Sequence, residues 1–256
     1  MQAPIITLIT DWGNRDFFAG MLKGKLYSQI TNVRIVDITH NVEPYNIREA
    51  TIVAQNACMN YPQGTIHIID VATPSDGSQN LLCISYKGQY FLCADNGLPY
   101  VLFGDEYTAA AQLPFPEEGS TFVAYDLYAD VAVKLAQDCS LSQLGNPVDG
   151  LLKMSITKTN SLGDKLSVMI SHVDNYGNVH LHITRQQFDE IRKERPFVLN
   201  ISRNSIATIS KSYRESAGRP ILVEGVGGYL QIALYQASAH QLLGLQCDSC
   251  VQFEFK

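Results

Sequence analysis

Apolar residues recur along this chain with two alternating periods. Ile5–Thr10 is a short β-rich run that ends in Thr10-Asp11-Trp12-Gly13. Over Phe17–Ile30 the positions Phe18, Met21, Leu22, Leu26 and Ile30 form one stripe and predict a helix. Val33–Thr39 reads as a second buried-type strand. Pro44 and Asn46 introduce a second helix, Ile47–Tyr61, which Pro62 and Gly64 close, and Thr65–Asp70 is a third strand. Strands alternating with helices at this spacing predict βαβ units and an α/β domain with a mainly parallel sheet.

The pattern changes after Asp70. Ala72–Asn80 is a polar loop. Leu81–Tyr86 and Gln89–Ala94 flank Lys87-Gly88, a two-residue hairpin signal. Asp126–Gln137 predicts one more helix, and Gly145–Gly150, with Pro147, is the candidate linker. From Lys165 onward the reading is mostly β. Leu166–Val173, Phe197–Ser202, Ile206–Ser210, Pro220–Glu224, Tyr229–Tyr235 and Val251–Phe255 are short strands between turn signals. Helices are expected at Arg185–Lys193 and Ser238–Leu243. The expectation is an α/β domain over residues 1–150 and a smaller β-barrel-like domain, or a sandwich, over 151–256.

Composition changes this picture little. The chain has 256 residues, 46% hydrophobic and 17% charged, enough to bury a proper core and to exclude disorder as the main state. A net charge of -6 argues against broad electrostatic binding to nucleic acid. The apolar runs fall short of the roughly 20 residues that a membrane span needs. Met1-Gln2-Ala3-Pro4 has neither a basic start nor the apolar run of a signal peptide, so a cytoplasmic protein is expected, with reduced thiols at its six cysteines.

Several acids fall where chemistry is expected. Asp11 follows a parallel strand and precedes a helix, the place where open α/β sheets bind ligands. A carboxylate there can accept two hydrogen bonds from a ribose diol, or cap the helix. Asp16 opens the same helix and can hold a ligand ammonium or complement the helix dipole. Asp70 ends the third strand and can share a cleft with Asp11. Asp95-Asn96-Gly97 reads as turn chemistry. Asp174-Asn175-Tyr176-Gly177-Asn178 also reads first as a turn, yet its acid, aromatic and amide could clamp an amine and an aromatic base. His180 and His182 alternate on a predicted strand and read as a solvent-facing pair, with no third metal ligand indicated. Cys247 and Cys250 have C-x-x-C spacing without the context of a zinc or redox site. Glycine-rich phosphate loops, G-x-S-x-G elbows and HExxH are absent from the sequence.

In order, Ile6-Thr7-Leu8-Ile9-Thr10-Asp11-Trp12-Gly13, Gly20-Met21-Leu22-Lys23-Gly24, Val36-Asp37-Ile38-Thr39-His40, Ile47-Arg48-Glu49-Ala50, Pro62-Gln63-Gly64-Thr65-Ile66-His67 and Asp95-Asn96-Gly97-Leu98 form a series of motifs. Asp174 through Asn178, Gly228-Tyr229-Leu230 and Leu242-Leu243-Gly244-Leu245 continue it. The series resembles the S-adenosyl-L-methionine hydroxide adenosyltransferases, relatives of the fluorinating and chlorinating enzymes, over nearly the whole chain.

The resemblance implies a homotrimer whose ligand sites lie between the N-domain of one subunit and the C-domain of its neighbour. It implies attack of water at the ribose C5′ of S-adenosylmethionine, which acts as substrate or ligand, with no further cofactor or metal. By position, Asp11 matches the acid that holds the ribose hydroxyls, and Asp16 and Asp174 match carboxylates near the methionine amine. Tyr45 matches an aromatic position near the ribose. Tyr176 and Tyr213 match aromatic positions around adenine, and Asn178 the amide that reads its edge. The catalytic positions depart. Asp70 survives, but Gln79 or Asn80 stands where the family's hydrolases carry Arg, and Val123 in Phe122-Val123-Ala124-Tyr125-Asp126 stands at their His. Tyr235-Gln236-Ala237 replaces the small turn beside adenine. His67, Asp76 and Tyr125 are candidate substitutes. A weakened hydrolase, a non-catalytic adenosyl-binding protein and a trimeric scaffold with a silent pocket are the three expectations.

Overall fold

The computed structural model describes residues 3–116, 119–154, 159–247 and 249–256. The chain divides into two compact units, Met1–Ser155 and Ile156–Lys256. In the first, strands β1 (Ile5–Thr10), β2 (Arg34–Thr39), β3 (Ile66–Asp70), β4 (Leu81–Tyr86), β5 (Gln89–Ala94), β6 (Ala109–Leu113) and β7 (Asn146–Pro147) form one sheet in the order β2-β1-β3-β5-β4-β6-β7. β1, β2, β3 and β5 run parallel, whereas β4, β6 and β7 join antiparallel. The expected mainly parallel sheet is therefore parallel in only half of its pairings. The reason is the β4–β5 hairpin, whose Lys87 and Gly88 both take positive φ as a two-residue turn requires.

Helices α1 (Phe18–Gln29), α2 (Ile47–Ala57), α3 (Leu98–Phe103), α4 (Ala129–Ala136) and α5 (Leu141–Leu144) cover this sheet. Ile6 and Leu8 of β1 pack with Leu22 and Leu26 of α1 and Ala132 of α4. Ile9, from the opposite face, packs with Ala50 and Ala54 of α2 and Phe103 of α3. A strand covered on both faces must be apolar at successive positions, which is why Ile5–Thr10 reads as a continuous run. The Asn46 side chain caps α2 by accepting from the Glu49 N–H at 3.1 Å. α2 ends earlier than Tyr61, passing into a 3-10 turn over Cys58–Asn60. The helix expected at Asp126–Gln137 opens instead with a π-helical turn, Ala124–Tyr128. Gly145–Gly150 is not a linker. Asn146–Pro147 pairs with β6, and a Cβ at Gly145 would lie 1.9 Å from the Gln112 carbonyl oxygen.

His67 sits inside β3 with its ring stacked on Phe91 at 4.6 Å and its Nδ1 2.6 Å from the Thr7 hydroxyl. Its Nε2 has no partner. Burial pushes its pKa down to about 4, against a smaller opposing effect of Gln89. The folded value lies below the ordinary 6.5, so the fold favours neutral imidazole. That stability is present above pH 6.5 and is lost as pH falls toward 4 and below, by up to about 3 kcal/mol. Urea unfolding of the native protein and of His67→Phe across this range checks it. The two profiles are expected to diverge, and parallel profiles would refute a buried neutral imidazole.

The second unit contains β8 (Asn160–Leu162), β9 (Lys165–Val173), β10 (Val179–Thr184), β11 (Phe197–Ile201), β12 (Asn204–Ile206), β13 (Ile209–Ser210), β14 (Ile221–Glu224), β15 (Tyr229–Ala233) and β16 (Cys250–Phe255). Their order is β12-β11-β16-β9-β10-β15-β14-β13, with β8 beside β9. Burial alternates along β10 and β16, so one sheet face forms the core. α6 (Arg185–Arg192), held by a Thr184–Gln187 capping box, buries Phe188 against Phe253 and Phe197. α7 (Ala239–Leu243) is capped by Ser238. The single strand expected at Ile206–Ser210 is two. β12 and β13 lie at opposite ends of the strand order, with only Ala207 and Thr208 between them. No helix among the described residues is long and apolar enough to cross a membrane.

Candidate functional site

Parallel pairing brings the carboxyl ends of β1, β2 and β3 side by side, with Thr10 opposite Asp70 and Ile9 opposite Thr39. The loops that follow meet at Asp11. Its Oδ2 accepts from the Tyr45 N–H at 2.9 Å and the Ala72 N–H at 3.3 Å, so one carboxylate ties the three loops together. Tyr45 adopts a left-handed conformation, φ +66°, that directs its amide inward while its side chain stays 79% exposed. Helix capping is excluded as the role of Asp11, because α1 begins at Phe18 with no side-chain cap. Asp16 is exposed and lies just before that helix.

Asp11, Tyr45 and Asp70 line one cleft of about 210 Å³ together with Trp12, Phe18, Thr73, Phe122 and Val123. Trp12 stacks on His40 and sets its ring edge against Phe122, which aims its indole N–H at Asp70 Oδ2, 3.0 Å away. Asp70 is only 6% exposed, and its Oδ1 has no hydrogen-bond partner. Burial raises its carboxyl to about 6, with the Thr73 hydroxyl and the Trp12 N–H opposing the rise and the negative charge of Asp11 adding to it. A carboxylate so poised can take a proton from water near neutral pH. Thr73 Oγ1 and the buried Tyr128 hydroxyl lie beside each other, and neither makes a hydrogen bond of full geometry. Sequence reading missed Trp12, Thr73 and Tyr128. Trp12 was visible as the lone tryptophan after Asp11, whereas nothing marked the other two.

The departures fall out unevenly. Val123 lines the Asp70 cleft and is buried, whereas Gln79 lines a different cleft with Gln112 and Phe115. Asp76 is exposed, His67 is enclosed by Phe91 and Tyr61, and Tyr125 stacks on Phe122 under Lys25. None of these three lines the cleft.

In the second unit the turn after β9 is built on Asp174. Its Oδ1 accepts from the backbone of Tyr176 and Asn178, both at 2.9 Å, and its Oδ2 from the Asn178 amide at 2.9 Å. Gly177 takes φ +80°, where a Cβ would lie 2.1 Å from Ser238 Oγ. The ring of Tyr176 stands 80% exposed. Burial acts to raise the Asp174 carboxyl, but Asn178 and His180 outweigh it and hold it below its usual range. His180 and His182 share a strand face, as period two requires, yet His180 is not solvent-facing. Its Nε2 lies 3.3 Å from Asp174 Oδ2 and its Nδ1 3.2 Å from Gln231 Nε2. Gln231, a buried polar residue inside an apolar strand, receives the Tyr213 hydroxyl at 2.8 Å. Asn96 is structural, donating to the Val71 carbonyl and accepting from the Leu98 N–H. Cys247 and Cys250 are exposed, and no group of three potential metal ligands exists among the described residues.

Residues 6–145 match the family described as SAM hydroxide adenosyltransferase N-terminal domain, and residues 168–252 match its C-terminal domain. The chain is 25% identical to an (R)-S-adenosyl-L-methionine hydrolase of Methanocaldococcus jannaschii, over 94% of this chain and 92% of that protein. It is 23% identical to a fluorinase of Actinopolyspora mzabensis over 92% of each. The crystal structure of an uncharacterised conserved protein of Thermotoga maritima superposes with a TM-score of 0.86 at 24% identity, covering 97% of this chain and 99% of that one.

Proposed function

Since this chain belongs to the SAM hydroxide adenosyltransferase family, we propose that it binds S-adenosylmethionine and hydrolyses it slowly to adenosine and methionine. Water oxygen attacks the ribose C5′, the C5′–S bond breaks, and its electron pair leaves with the sulfur. The sulfonium thus departs as a neutral thioether and needs no acid. What the protein must supply is an aligned water and a group to take its proton, and Asp70 is that group. The observation that carries the reading is the meeting of Asp11, Tyr45 and Asp70 in one cleft at the strand ends. Asp11 offers the ribose an acceptor whose other contacts are already fixed by backbone amides.

Asp16 and Asp174 are assigned to the methionine amine, and Tyr176, Tyr213 and Asn178 to adenine. The protein is proposed to act as a cytoplasmic homotrimer in which a neighbouring subunit completes each site. The second unit is proposed to be barrel-like. Support comes from β12 and β13, which end the strand order on opposite sides although two residues join them. A second reading, adenosyl binding without turnover, is favoured by Val123, an aliphatic side chain in the cleft that must orient water.

Titration calorimetry with S-adenosylmethionine and adenosine tests binding. Asp11→Ala is expected to weaken it by about 1.5–3 kcal/mol, the scale of a hydrogen bond to a charged group. No binding by the unmodified protein would remove both readings.

A further inference from the structure

A line of side chains crosses the second unit from the Asp174 turn to Tyr213, and its hydrogen-bond polarity is fixed from one end. Asp174 already accepts three N–H groups, two on Oδ1 and one on Oδ2. An ionised carboxylate can only accept, so the His180 nitrogen 3.3 Å from Oδ2 carries a proton. In neutral His180 that proton is on Nε2, and Nδ1 is an acceptor. Gln231 meets it with its amide nitrogen at 3.2 Å, and the Gln231 oxygen accepts from Tyr213 at 2.8 Å. Each link is satisfied in one sense only: Tyr213 hydroxyl to Gln231, Gln231 to His180, His180 to Asp174.

We propose that His180 and Gln231 are positioning residues that set the direction of the Tyr213 hydroxyl, and that a second proton on His180 reverses it. Once protonated, Nδ1 becomes a donor and faces the donor nitrogen of Gln231. The amide lies against Gly225, its nitrogen filling the space that a Cβ there would occupy, so it is hemmed in on that side. It can turn over in place, since its oxygen and nitrogen have nearly the same size. The oxygen then accepts from His180, the nitrogen donates to Tyr213, and the Tyr213 proton points outward. The Tyr213 ring is partly exposed, so that proton is offered to whatever lies against it.

Among the described residues the titratable groups bearing on His180 are Asp174 on the turn, His172 on β9 and, through Gln231, Tyr213; β15 contributes the neutral amide of Gln231. Burial lowers the His180 pKa and the charge of His172 acts in the same direction, while Asp174 works against both. The reversal therefore belongs on the acid side of 6.5. That it changes ligand affinity rests on the reading of Tyr213 as an adenine contact.

Long-range nitrogen–proton NMR of the full chain tests the relay without any ligand. His180 is expected as the Nε2–H tautomer at neutral pH, and the Gln231 side-chain amide signals are expected to shift with the same midpoint as His180. Gln231→Glu supplies an acceptor to both neighbours and should raise that midpoint by more than about one pH unit. An Nδ1–H tautomer, or Gln231 signals that ignore the titration, would overturn the proposal. In calorimetry, adenosine affinity is expected to change at least about threefold across the midpoint and to lose that dependence in Tyr213→Phe. Absence of adenosine binding at any pH defeats the reading of function and leaves the NMR result to decide the relay. Binding with a flat pH profile while His180 titrates overturns the link to the ligand.

Discussion

Incubated with S-adenosylmethionine beside a relative that carries Asp, Arg and His at the three catalytic positions, this protein is expected to release adenosine at least about a hundredfold more slowly. The deficit comes from two positions with different geometry. Val123 lines the cleft and is buried, and its side chain offers a water there neither a donor nor an acceptor. Gln79 is exposed in another cleft and brings nothing to Asp70. Restoration is therefore expected to be unequal. Val123→His puts a ring nitrogen into the cleft and should recover part of the rate, whereas Gln79→Arg alone should recover little, because its loop directs it elsewhere. Equal turnover by the native protein and the intact relative would show that another group activates the water. Binding without turnover would select the non-catalytic reading.

The strand ends were legible because sequence distance and register act together there. A parallel strand that stops at Thr10 and another that stops at Asp70 must place Asp11 and Asp70 at one sheet edge, whatever else the chain does. The Asp174 turn was legible for a similar reason, since an acid four residues before Asn178 can only close locally. Four features were not. The antiparallel half of the first sheet follows from a hairpin that was read correctly, but β6 carries Ala109-Ala110-Ala111 and too little side chain to announce a strand. The break within Ile206–Ser210 leaves no turn residue to mark it. Gln79 was placed at the catalytic edge by counting along a loop, and loop residues do not inherit a register. Tyr128, Thr73 and Gln231 carry polar atoms into otherwise apolar segments, which is visible in the sequence only as single interruptions of a pattern.

Replacing Asp70 with Asn is expected to stabilise the fold at pH 8 by as much as about 3 kcal/mol while reducing adenosine release to background. The folded-state pKa of Asp70, about 6, lies above its ordinary 3.8. The fold thus prefers the protonated acid. The stability this confers is fully present below pH 3.8 and disappears as pH rises through 6, so at pH 8 the native state holds an ionised carboxylate with an unpartnered Oδ1. Asparagine keeps the shape, accepts the same Trp12 N–H and carries no charge. Its amide nitrogen can also donate toward the Thr73 hydroxyl, which acts on the carboxyl. Urea unfolding of both proteins at pH 4 and pH 8 should show a stability difference that is small in acid and grows with pH. A difference independent of pH, or an asparagine variant less stable at pH 8, would defeat the assignment of a raised carboxyl pKa. The expected result has a functional reason. A buried anion is costly to the fold, but only the ionised form can take a proton from water, the role proposed for Asp70. On the proposed role, the instability at Asp70 is the same property that proton transfer requires.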